Sequence, residues 1–493
     1  MSAKIDVSVD GMKPVPDSID EITPAWCEWA LRQGGSIGKT TTITSAEVER
    51  FKDEDTGEIN DGGGLTGAKL FIVTIKYGGE ITGNEPSSIV GKIMFECKES
   101  ASLPWRIILK LAGSWDLTSE DFWRTDIKFF RNILPIIKDK YKTPKVYYTG
   151  IVDKGNRNYF TSTILNKPCR VKTVSLMEDF KGWGTLTLDK LISGESMDFE
   201  NCVACLKNLA VLHATFWGGN HSEIKNMFQR LSFMESTFKE QAHSKMVSRK
   251  RTKFACSTET IQKGLKVMIE RWKDESYMSI NESNKLMIPD WFSAETLEDG
   301  SYPILKDSSV LEMLNVCSER FPNFAKQVIN PYLKIPMQTI CHGDFQSGNH
   351  MYGKGENKGK IVAVDFQCVG MGMASGEVLA FICWTMPSRN FMHLAKCYHT
   401  ALEENGIDNY PWEAFKKDLI IEIMENIMKT SMDFAERTMK KFDQMFGIFG
   451  DKFAGFKKFL EGGVCGMMFL LATDMYRRDK ENFLNPETFD KNM

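Results

Sequence analysis

The order of apolar and polar positions divides the chain into an early part with strand-like runs and a later part with helical periodicity. Runs rich in β-branched and aromatic residues at 70–77 and 105–111 predict buried strands. Apolar residues recur at helical spacing over 120–134 and 201–216, which predicts two amphipathic helices. From there to about residue 480 the pattern is mostly helical, so the two parts of the chain have different architectures.

A short helix precedes the first strand. Pro24 suits the first turn of a helix, apolar residues continue to Leu31, and two consecutive glycines at 34 and 35 end the segment. We therefore predict an N-terminal helical extension over residues 1–43.

Two short polar motifs in the later part carry the strongest chemical signal. Residues 342–349 read H-G-D-F-Q-S-G-N and residues 365–367 read D-F-Q, and an apolar run leads into each. A glycine-rich turn at 352–359 separates them, so a hairpin would deliver the second carboxylate from the end of a strand. Phosphoryl transfer needs a proton acceptor and oxygen ligands for Mg²⁺, which these residue types supply. The alternative is that Asp344 and Asn349 only cap a tight turn.

A glycine-rich turn in the early part could approach phosphates. Residues 61–68 read D-G-G-G-L-T-G-A, and backbone N–H groups at Gly63, Gly64 and Gly67 could approach phosphates closely because these residues lack a Cβ. Glycines in a hairpin turn are also common without any ligand. Lys110 lies near the end of the strand at 105–111, where an exposed edge lysine is one interpretation.

In this order and spacing, the two motifs resemble those of kinase-like phosphotransferases that act on small molecules. The similarity is strongest to the ecdysteroid-kinase-like group, which is related to aminoglycoside phosphotransferases and choline kinases. The resemblance implies an α+β, bilobal protein-kinase-like fold, with an N-terminal antiparallel β-sheet lobe and a larger, mainly helical C-terminal lobe. It also implies ATP as cosubstrate, Mg²⁺ as cofactor and a small-molecule alcohol as acceptor. The corresponding boundaries are 1–43 for the extension, 44–175 for the nucleotide-binding lobe, 176–181 for the hinge and 182–493 for the catalytic and acceptor-binding lobe.

The resemblance also implies roles for individual residues. Asp344 would be the catalytic base and His342 would orient its loop, while Asn349 and Asp365 would bind the metal. Backbone groups of the hinge segment at Glu178, Asp179 and Phe180 would read the adenine edge.

Lys110 would pair with the nucleotide phosphates and with a helix carboxylate. Asp126 occupies the position where the group usually has glutamate. Because aspartate is one methylene shorter, a direct pair with Lys110 requires the helix to lie closer to the strand. Glu377 fills a position where related enzymes usually carry aspartate.

Two absences separate the chain from regulated protein kinases. Gly343 stands where those enzymes carry an arginine before the catalytic aspartate, and few residues separate Asp365 from the next helix at Ser375. A small acceptor is therefore favoured over a peptide. A non-catalytic, nucleotide-binding pseudokinase scaffold is the alternative, supported by the irregular glycine-rich turn and by Asp126. A hydrolase has no G-x-S-x-G motif to support it.

Composition adds bounds to this interpretation. The 493 residues carry a net charge of −3, which gives no reason to expect nucleic acid or an anionic membrane as partner. Twelve cysteines without a spacing framework and no apolar leader predict a cytoplasmic protein with reduced thiols. The lone C-x-x-C at 202–205 is better explained by burial than by zinc. A C-terminal third rich in Met and Phe favours an apolar, steroid-like or lipid-like alcohol; the pattern does not predict an oligomeric state.

Overall fold

The computed structural model describes about three fifths of the chain, and the chain divides into two units. One unit comprises residues 1–183 together with 364–369, and the other comprises 184–363 and 370–493. Each is described by itself. The described residues are 12–52, 68–78, 103–114, 120–153, 160–162, 167–169, 171–186, 197–219, 262, 265, 266, 269, 270, 308–332, 338–385, 391–434 and 465–489.

The N-terminal unit is built on a five-stranded antiparallel sheet. Its strand order is β1-β2-β3-β7-β4, so β7, the last of these strands in the chain, lies between β3 and β4. A separate two-stranded ribbon pairs β5 with β6. The strands of this unit are β1 (Thr42–Arg50), β2 (Lys69–Gly78), β3 (Arg106–Ser114), β4 (Val146–Asp153), β5 (Phe160–Ser162), β6 (Lys167–Cys169) and β7 (Val171–Glu178).

Two helices cover opposite faces of this sheet. Helix α1 (Pro24–Gln33) contributes to a core that includes Leu109 and Leu111 of β3, whereas Trp123 and Ile127 of helix α2 (Glu120–Lys128) join a second cluster. Side chains alternate between the faces of a strand. Lys110 therefore points away from its two leucine neighbours and toward the face that α2 covers.

Local sequence explains where α1 begins and how it is held. The Thr23 side chain accepts a hydrogen bond from the backbone N–H of Trp26, and Pro24 fills the first helical position. At the other end Gly34 approaches β4 so closely that an added Cβ would lie 1.5 Å from the carbonyl oxygen of Tyr147. A buried Lys172 on β7 also pairs with Asp17, so the N-terminal extension is tied to the sheet.

Helix α2 continues into a turn of π-helix at Phe129–Ile133 and then into α3 (Leu134–Ile137). Phe129, Phe130 and Ile133 are buried on this segment. Insertion of a π-turn shifts the helical register by about one residue, as is frequent near functional sites. Asp126 therefore lies in the regular helix before this shift, whereas Phe129 and Phe130 lie in the π-turn after it.

The other unit is mainly helical, with two short antiparallel ribbons that carry the polar motifs. Strand β8 pairs with β11, and β9 pairs with β10. Its strands are β8 (Thr339–Cys341), β9 (His350–Tyr352), β10 (Ile361–Ala363) and β11 (Gly370–Gly372). Its helices are α4 (Phe199–Thr215), α5 (Ser308–Phe324), α6 (Asn330–Tyr332), α7 (Ala374–Thr385), α8 (Phe391–Glu404), α9 (Trp412–Phe434), α10 (Cys465–Arg478) and α11 (Pro486–Phe489), with a π-turn at Ala325–Ile329 between α5 and α6.

Cys202 and Cys205 are buried free thiols on α4, and burial raises the pKa of Cys202 to about 12, so this pair has the environment of core side chains. None of the helices described combines the length and the apolar character that a membrane span requires.

Candidate active site

A buried charge cluster lies in the N-terminal unit where β3, α2 and residues 364–369 meet. Lys110 Nζ is 3.2 Å from Asp126 Oδ2 and 2.7 Å from Asp365 Oδ1. The Lys110 and Asp126 side chains are 12% and 3% exposed, so both charges have lost most of their water. Asp126 therefore reaches Lys110 directly despite its shorter side chain.

Burial and neighbouring charges act against each other in this cluster. Desolvation alone would lower the pKa of Lys110, but the carboxylates of Asp126 and Asp365 outweigh it and raise the pKa. For Asp126, desolvation and repulsion from Asp365 raise the pKa despite the opposing effect of Lys110. One ammonium faces two carboxylates, so the ionised cluster carries a net charge of −1. Added positive charge would stabilise its fully ionised form.

Residues 364–369 are anchored to this unit by hydrogen bonds and by an aromatic stack. The backbone N–H of Phe366 donates to Asp126 Oδ1 at 3.2 Å. Its ring lies parallel to that of Phe129 at a centroid distance of 3.8 Å. Asp126 therefore holds the lysine with one oxygen and the segment after Asp365 with the other.

Asp365 has an unusual backbone conformation. Its φ is +66° and its ψ is +69°, in the left-handed region that non-glycine residues seldom occupy. Such strain costs about 1–3 kcal/mol and persists where the surroundings hold it in place, often at functional sites. Here the ion pair to Lys110 and a hydrogen bond from Gln367 Nε2 at 3.1 Å hold the carboxylate.

The first polar motif forms a compact loop in the other unit. The Asn349 side-chain nitrogen donates to the carbonyl oxygen of Asp344 at 2.8 Å and to its Oδ2 at 2.9 Å. Both bonds use the amide nitrogen, which leaves the amide oxygen of Asn349 as the atom that can ligate a cation. Asp344 itself is partly exposed, so its carboxylate can be reached from solvent.

Glu377 on α7 holds the backbone just before Asp344. Its Oε1 accepts from the N–H of Gly343 at 2.6 Å, and its Oε2 accepts from the N–H of His342 at 3.0 Å. Gly343 has a φ of +84°, which favours glycine. The His342 side chain is fully buried, so its place in the loop is structural rather than at a substrate-accessible surface.

His213 on α4 completes this network. Its Nε2 lies 3.0 Å from Glu377 Oε2 and its Nδ1 lies 2.6 Å from the Tyr398 hydroxyl. Since a carboxylate can only accept, the proton is assigned to Nε2, and Nδ1 accepts from Tyr398. Burial alone would raise the pKa of Glu377, but the hydrogen bonds that it accepts, from His213 first and also from the backbone N–H of Gly343, outweigh it, so the pKa lies below its usual value.

The same network accounts for one grouping with the chemistry of a metal site. His213, Cys341 and Glu377 each place one ligand atom within 4.8 Å of the others, all in the interior. The Glu377 oxygens already accept three N–H bonds, and both nitrogens of His213 have partners. A cation there would have to displace these bonds, so hydrogen bonding explains the grouping better.

His350 directly follows Asn349 and is completely buried. Its Nδ1 bonds to the backbone oxygen of Gln346 at 2.8 Å, and its ring packs edge-on against Phe345 at a centroid distance of 4.3 Å. Desolvation lowers the pKa of His350 to about 3. The imidazole is therefore neutral at physiological pH and serves as a core side chain beneath the loop.

The three residues of the predicted hinge follow β7 directly. Glu178 ends the strand, and its backbone N–H donates to the carbonyl oxygen of Lys145 at 2.8 Å. Asp179 forms an ion pair with Arg106 at 2.6 Å. Phe180 packs against the Trp183 ring at a centroid distance of 4.9 Å. The acidic side chains therefore brace this segment through contacts with Arg106 and Lys145.

The structure brings together only part of the predicted site residues. Lys110, Asp126 and Asp365 meet in one unit, and Asp344, His342 and Asn349 share one loop of the other. The glycine-rich turn with Gly63, Gly64 and Gly67 lies outside the described residues, as does most of the Met- and Phe-rich segment between α9 and α10.

Sequence reasoning missed the network behind the catalytic loop. The local sequence around His213 and Tyr398 does not indicate that either residue belongs to this network. A histidine inside an apolar helix and a glutamate at the start of α7 are the only signals, and they lie 164 residues apart. The stacking of Phe129 on Phe366 was also not anticipated, although an aromatic residue directly after Asp365 was a signal.

An antiparallel sheet with a buried lysine–carboxylate cluster, together with a helical unit that carries the Asp–Asn loop, defines a kinase-like protein. Residues 98–408, well over half of the chain, match the ecdysteroid kinase-like family model, and the chain belongs to this family. The predicted resemblance and the predicted α+β kinase-like fold are thus confirmed. None of the curated proteins matches the chain.

Two solved structures are similar to the chain at low identity. A Plasmodium vivax ethanolamine kinase has 13% identity and a TM-score of 0.36, over 94% of this chain and 91% of that one. A microcompartment-associated aminopropanol kinase has 11% identity and a TM-score of 0.37, over 89% of this chain and 95% of that one.

Proposed function

We propose that the protein is an ATP- and Mg²⁺-dependent phosphotransferase that moves the γ-phosphate of ATP to a hydroxyl of a small molecule. The observation that carries the proposal is the cluster in which Lys110 lies between Asp126 and Asp365. A buried cluster with excess negative charge suits a site that receives a divalent cation and its nucleotide. Membership of the ecdysteroid kinase-like family points the same way.

The donor set fits Mg²⁺. The Asp365 carboxylate and the Asn349 amide oxygen are hard oxygen ligands of the kind that this ion prefers. Mg²⁺ would neutralise charge that develops on the phosphates during transfer. Lys110 would bind the nucleotide phosphates, with Asp126 holding its ammonium in position. The backbone of the turn with Gly63, Gly64 and Gly67 and the backbone of residues 178–180 would contribute the remaining nucleotide contacts.

Asp344 would act on the acceptor. Its carboxylate accepts the proton of the acceptor hydroxyl while the new oxygen–phosphorus bond forms and the bond from the γ-phosphorus to the bridging oxygen breaks. Asn349 holds one carboxylate oxygen through its amide nitrogen, which fixes the direction of the carboxylate. Most of the rate enhancement would come from positioning and electrostatics rather than from covalent chemistry.

The acceptor we propose is an apolar alcohol of steroid-like or lipid-like character. The abundance of Met and Phe in the C-terminal third supports this choice, because such side chains line adaptable apolar pockets. The family description, which refers to an ecdysteroid, agrees with it. Fold alone does not define a substrate, so the acceptor needs a direct assay.

A non-catalytic scaffold is the alternative, and one observation weighs against it. Asp126 supports the pseudokinase alternative because its side chain is shorter than that of glutamate, yet its carboxylate contacts Lys110 at 3.2 Å. The strand lysine, its carboxylate partner and the residues proposed for base and metal binding are all present. We therefore favour catalysis.

The test is transfer of label from γ-labelled ATP with Mg²⁺ into a panel of alcohols that includes sterols. Asp344→Asn and Asp365→Asn are a matched pair, because each removes one charge and keeps the side-chain shape, and asparagine tolerates the left-handed backbone at 365. We expect both to abolish transfer, but only Asp365→Asn should weaken Mg·ATP binding. Equal loss of nucleotide binding in both variants would refute these roles. Nucleotide binding without transfer to any acceptor would favour the scaffold.

A further inference from the structure

A cavity lies within the N-terminal unit, and its lining includes none of Lys110, Asp126 and Asp365. Its volume is about 930 Å³, in the range of small-molecule sites. Its walls come from the end of α1, the π-turn with α3, and the first half of β4. The close approach of Gly34 to Tyr147 joins the first wall to the third.

The lining combines apolar and aromatic side chains with basic groups. Trp29, Tyr147 and Leu134 represent the apolar part, and Lys138 and Lys145 are exposed cations at the rim. Within the described part of the chain, neither lysine forms an ion pair with a carboxylate. Arg131 also lines the cavity and donates to Thr149, whereas Glu178 is its one acidic residue. The lining therefore carries an excess of two positive charges.

The walls are continuous with residues of the candidate active site. Phe130 packs edge-on against Phe366 at a centroid distance of 5.7 Å, next to Asp365. Glu178 accepts a hydrogen bond from the backbone N–H of Lys145 at 3.1 Å and leads into the hinge segment. An occupant of the cavity would thus contact both the helical segment that follows Asp126 and the strand end before the hinge.

We propose that this cavity is an effector site for a small amphipathic organic anion, with a flat apolar body and one carboxylate, sulfonate or phosphate group. The apolar body would pack against Trp29, Tyr147 and Leu134, and the anionic group would lie toward Lys138 and Lys145. The effect of the bound anion on nucleotide affinity rests on the proposed function, whereas the binding of the anion to the cavity does not.

The binding test is a fluorescence titration with 8-anilinonaphthalene-1-sulfonate on the full chain at about 0.15 M salt, where charges beyond about 8 Å are screened. The uncharged N-phenyl-1-naphthylamine is the matched probe. Lys138→Glu combined with Lys145→Glu should raise the Kd of the sulfonate on the order of tenfold, because each exposed charge contact is worth a factor of about three. The uncharged probe should be affected little.

Two matched controls separate the cavity from general effects. Lys140→Glu combined with Lys39→Glu changes the net charge equally, but neither residue lines the cavity. Leu134→Trp fills the cavity and should remove the saturable sulfonate signal, whereas Ile136→Trp on the same short helix, at a position 45% exposed, should not. Sulfonate binding that is absent in the unmodified protein, or that survives Leu134→Trp and the paired lysine reversals, would overturn the proposal.

Coupling to the nucleotide is measured separately, by the Kd of Mg·ATP with and without saturating sulfonate probe. We expect a change of at least about fivefold, since allosteric coupling typically amounts to 5–150-fold. The Leu134→Trp protein should lose this change, and an unaltered Kd in the unmodified protein would overturn the effector role. Failure of the probe-free protein to bind Mg·ATP would instead count against the proposed function, because the probe titration does not involve nucleotide.

Discussion

Replacement of Glu377 by glutamine tests whether the network behind Asp344 positions the catalytic loop. The carboxylate accepts three hydrogen bonds, from the backbone N–H groups of His342 and Gly343 and from His213. A glutamine amide keeps one acceptor oxygen and turns an NH₂ group toward the remaining donors. Since the site is buried, water cannot replace the lost partners.

The magnitude follows from the number of bonds lost. A charge-assisted hydrogen bond contributes about 1.5–3 kcal/mol, and glutamine loses at least one of the three, because Oε2 accepts two bonds and Oε1 accepts the third. We therefore expect Glu377→Gln to lower the free energy of unfolding by about 1.5–3 kcal/mol. A displacement of Asp344 on the order of 1 Å should also lower kcat by about 10²-fold. The KM for ATP should change less than kcat, because the proposed nucleotide and metal contacts of Lys110 and Asp365 remain, and only the proposed metal contact of Asn349 lies on the displaced loop.

The assay combines urea unfolding with steady-state phosphotransfer. Because the folded pKa of Glu377 lies below its ordinary value of 4.5, its contribution to stability is present above that value and is lost as the pH falls through the folded pKa. The stability difference between the two proteins should therefore shrink as the pH is lowered below 4.5.

Glu377→Asp is the matched variant, because it keeps the charge and shortens the side chain. It should retain more stability and more activity than the glutamine protein. A folded Glu377→Gln protein with unchanged kcat, or a stability difference that persists at low pH, would refute the reasoning.

Substitutions of Lys110, His350 and Gly34 test contacts outside the Glu377 hydrogen bonds. Lys110→Met leaves the buried Asp126 and the partly exposed Asp365 without their cation and should lower phosphotransfer on the order of 10²–10³-fold, whereas a loss below about tenfold in kinetic assays would contradict its role. The folded pKa of His350 is about 3, so stability should fall as the pH drops below 6.5, by up to about 1.4 kcal/mol per pH unit. His350→Gln should flatten this slope in urea unfolding, and an unchanged slope would assign it to other groups. Gly34→Ala should destabilise the protein by about 3 kcal/mol, because the added Cβ clashes with the Tyr147 carbonyl. Gly35→Ala should cost only about 1 kcal/mol, because its Cβ meets no other atom and only the positive φ is unfavourable. Similar thermal melting points for the two variants would contradict this expectation.

Local patterns determined much of the secondary structure and the order of the motifs. The apolar run before residue 112 predicted the strand that became β3, and its two-residue alternation is what places Lys110 opposite Leu109. The helix predicted over 201–216 begins two residues earlier, at Phe199, because the Asp198 side chain caps it through the N–H of Asn201. These outcomes depend on interactions between residues close in the chain.

Contacts between distant residues were decided only by the tertiary structure. The pair between Lys110 and Asp365 joins positions 255 residues apart, and the pair between His213 and Glu377 joins positions 164 apart. No local pattern states which buried carboxylate will meet which cation, because that depends on the packing of whole elements.

The contact between Asp126 and Lys110 shows the same distinction between local sequence and tertiary packing. The sequence by itself determined that an acidic residue stands on α2 and a lysine on β3. Whether the shorter carboxylate could contact that lysine depended on how closely the helix packs against the sheet, and the cluster of Trp123 and Ile127 with sheet residues sets that distance. Side-chain identity is therefore a property of the chain, whereas the charge cluster and the altered pKa values are properties of the packed fold.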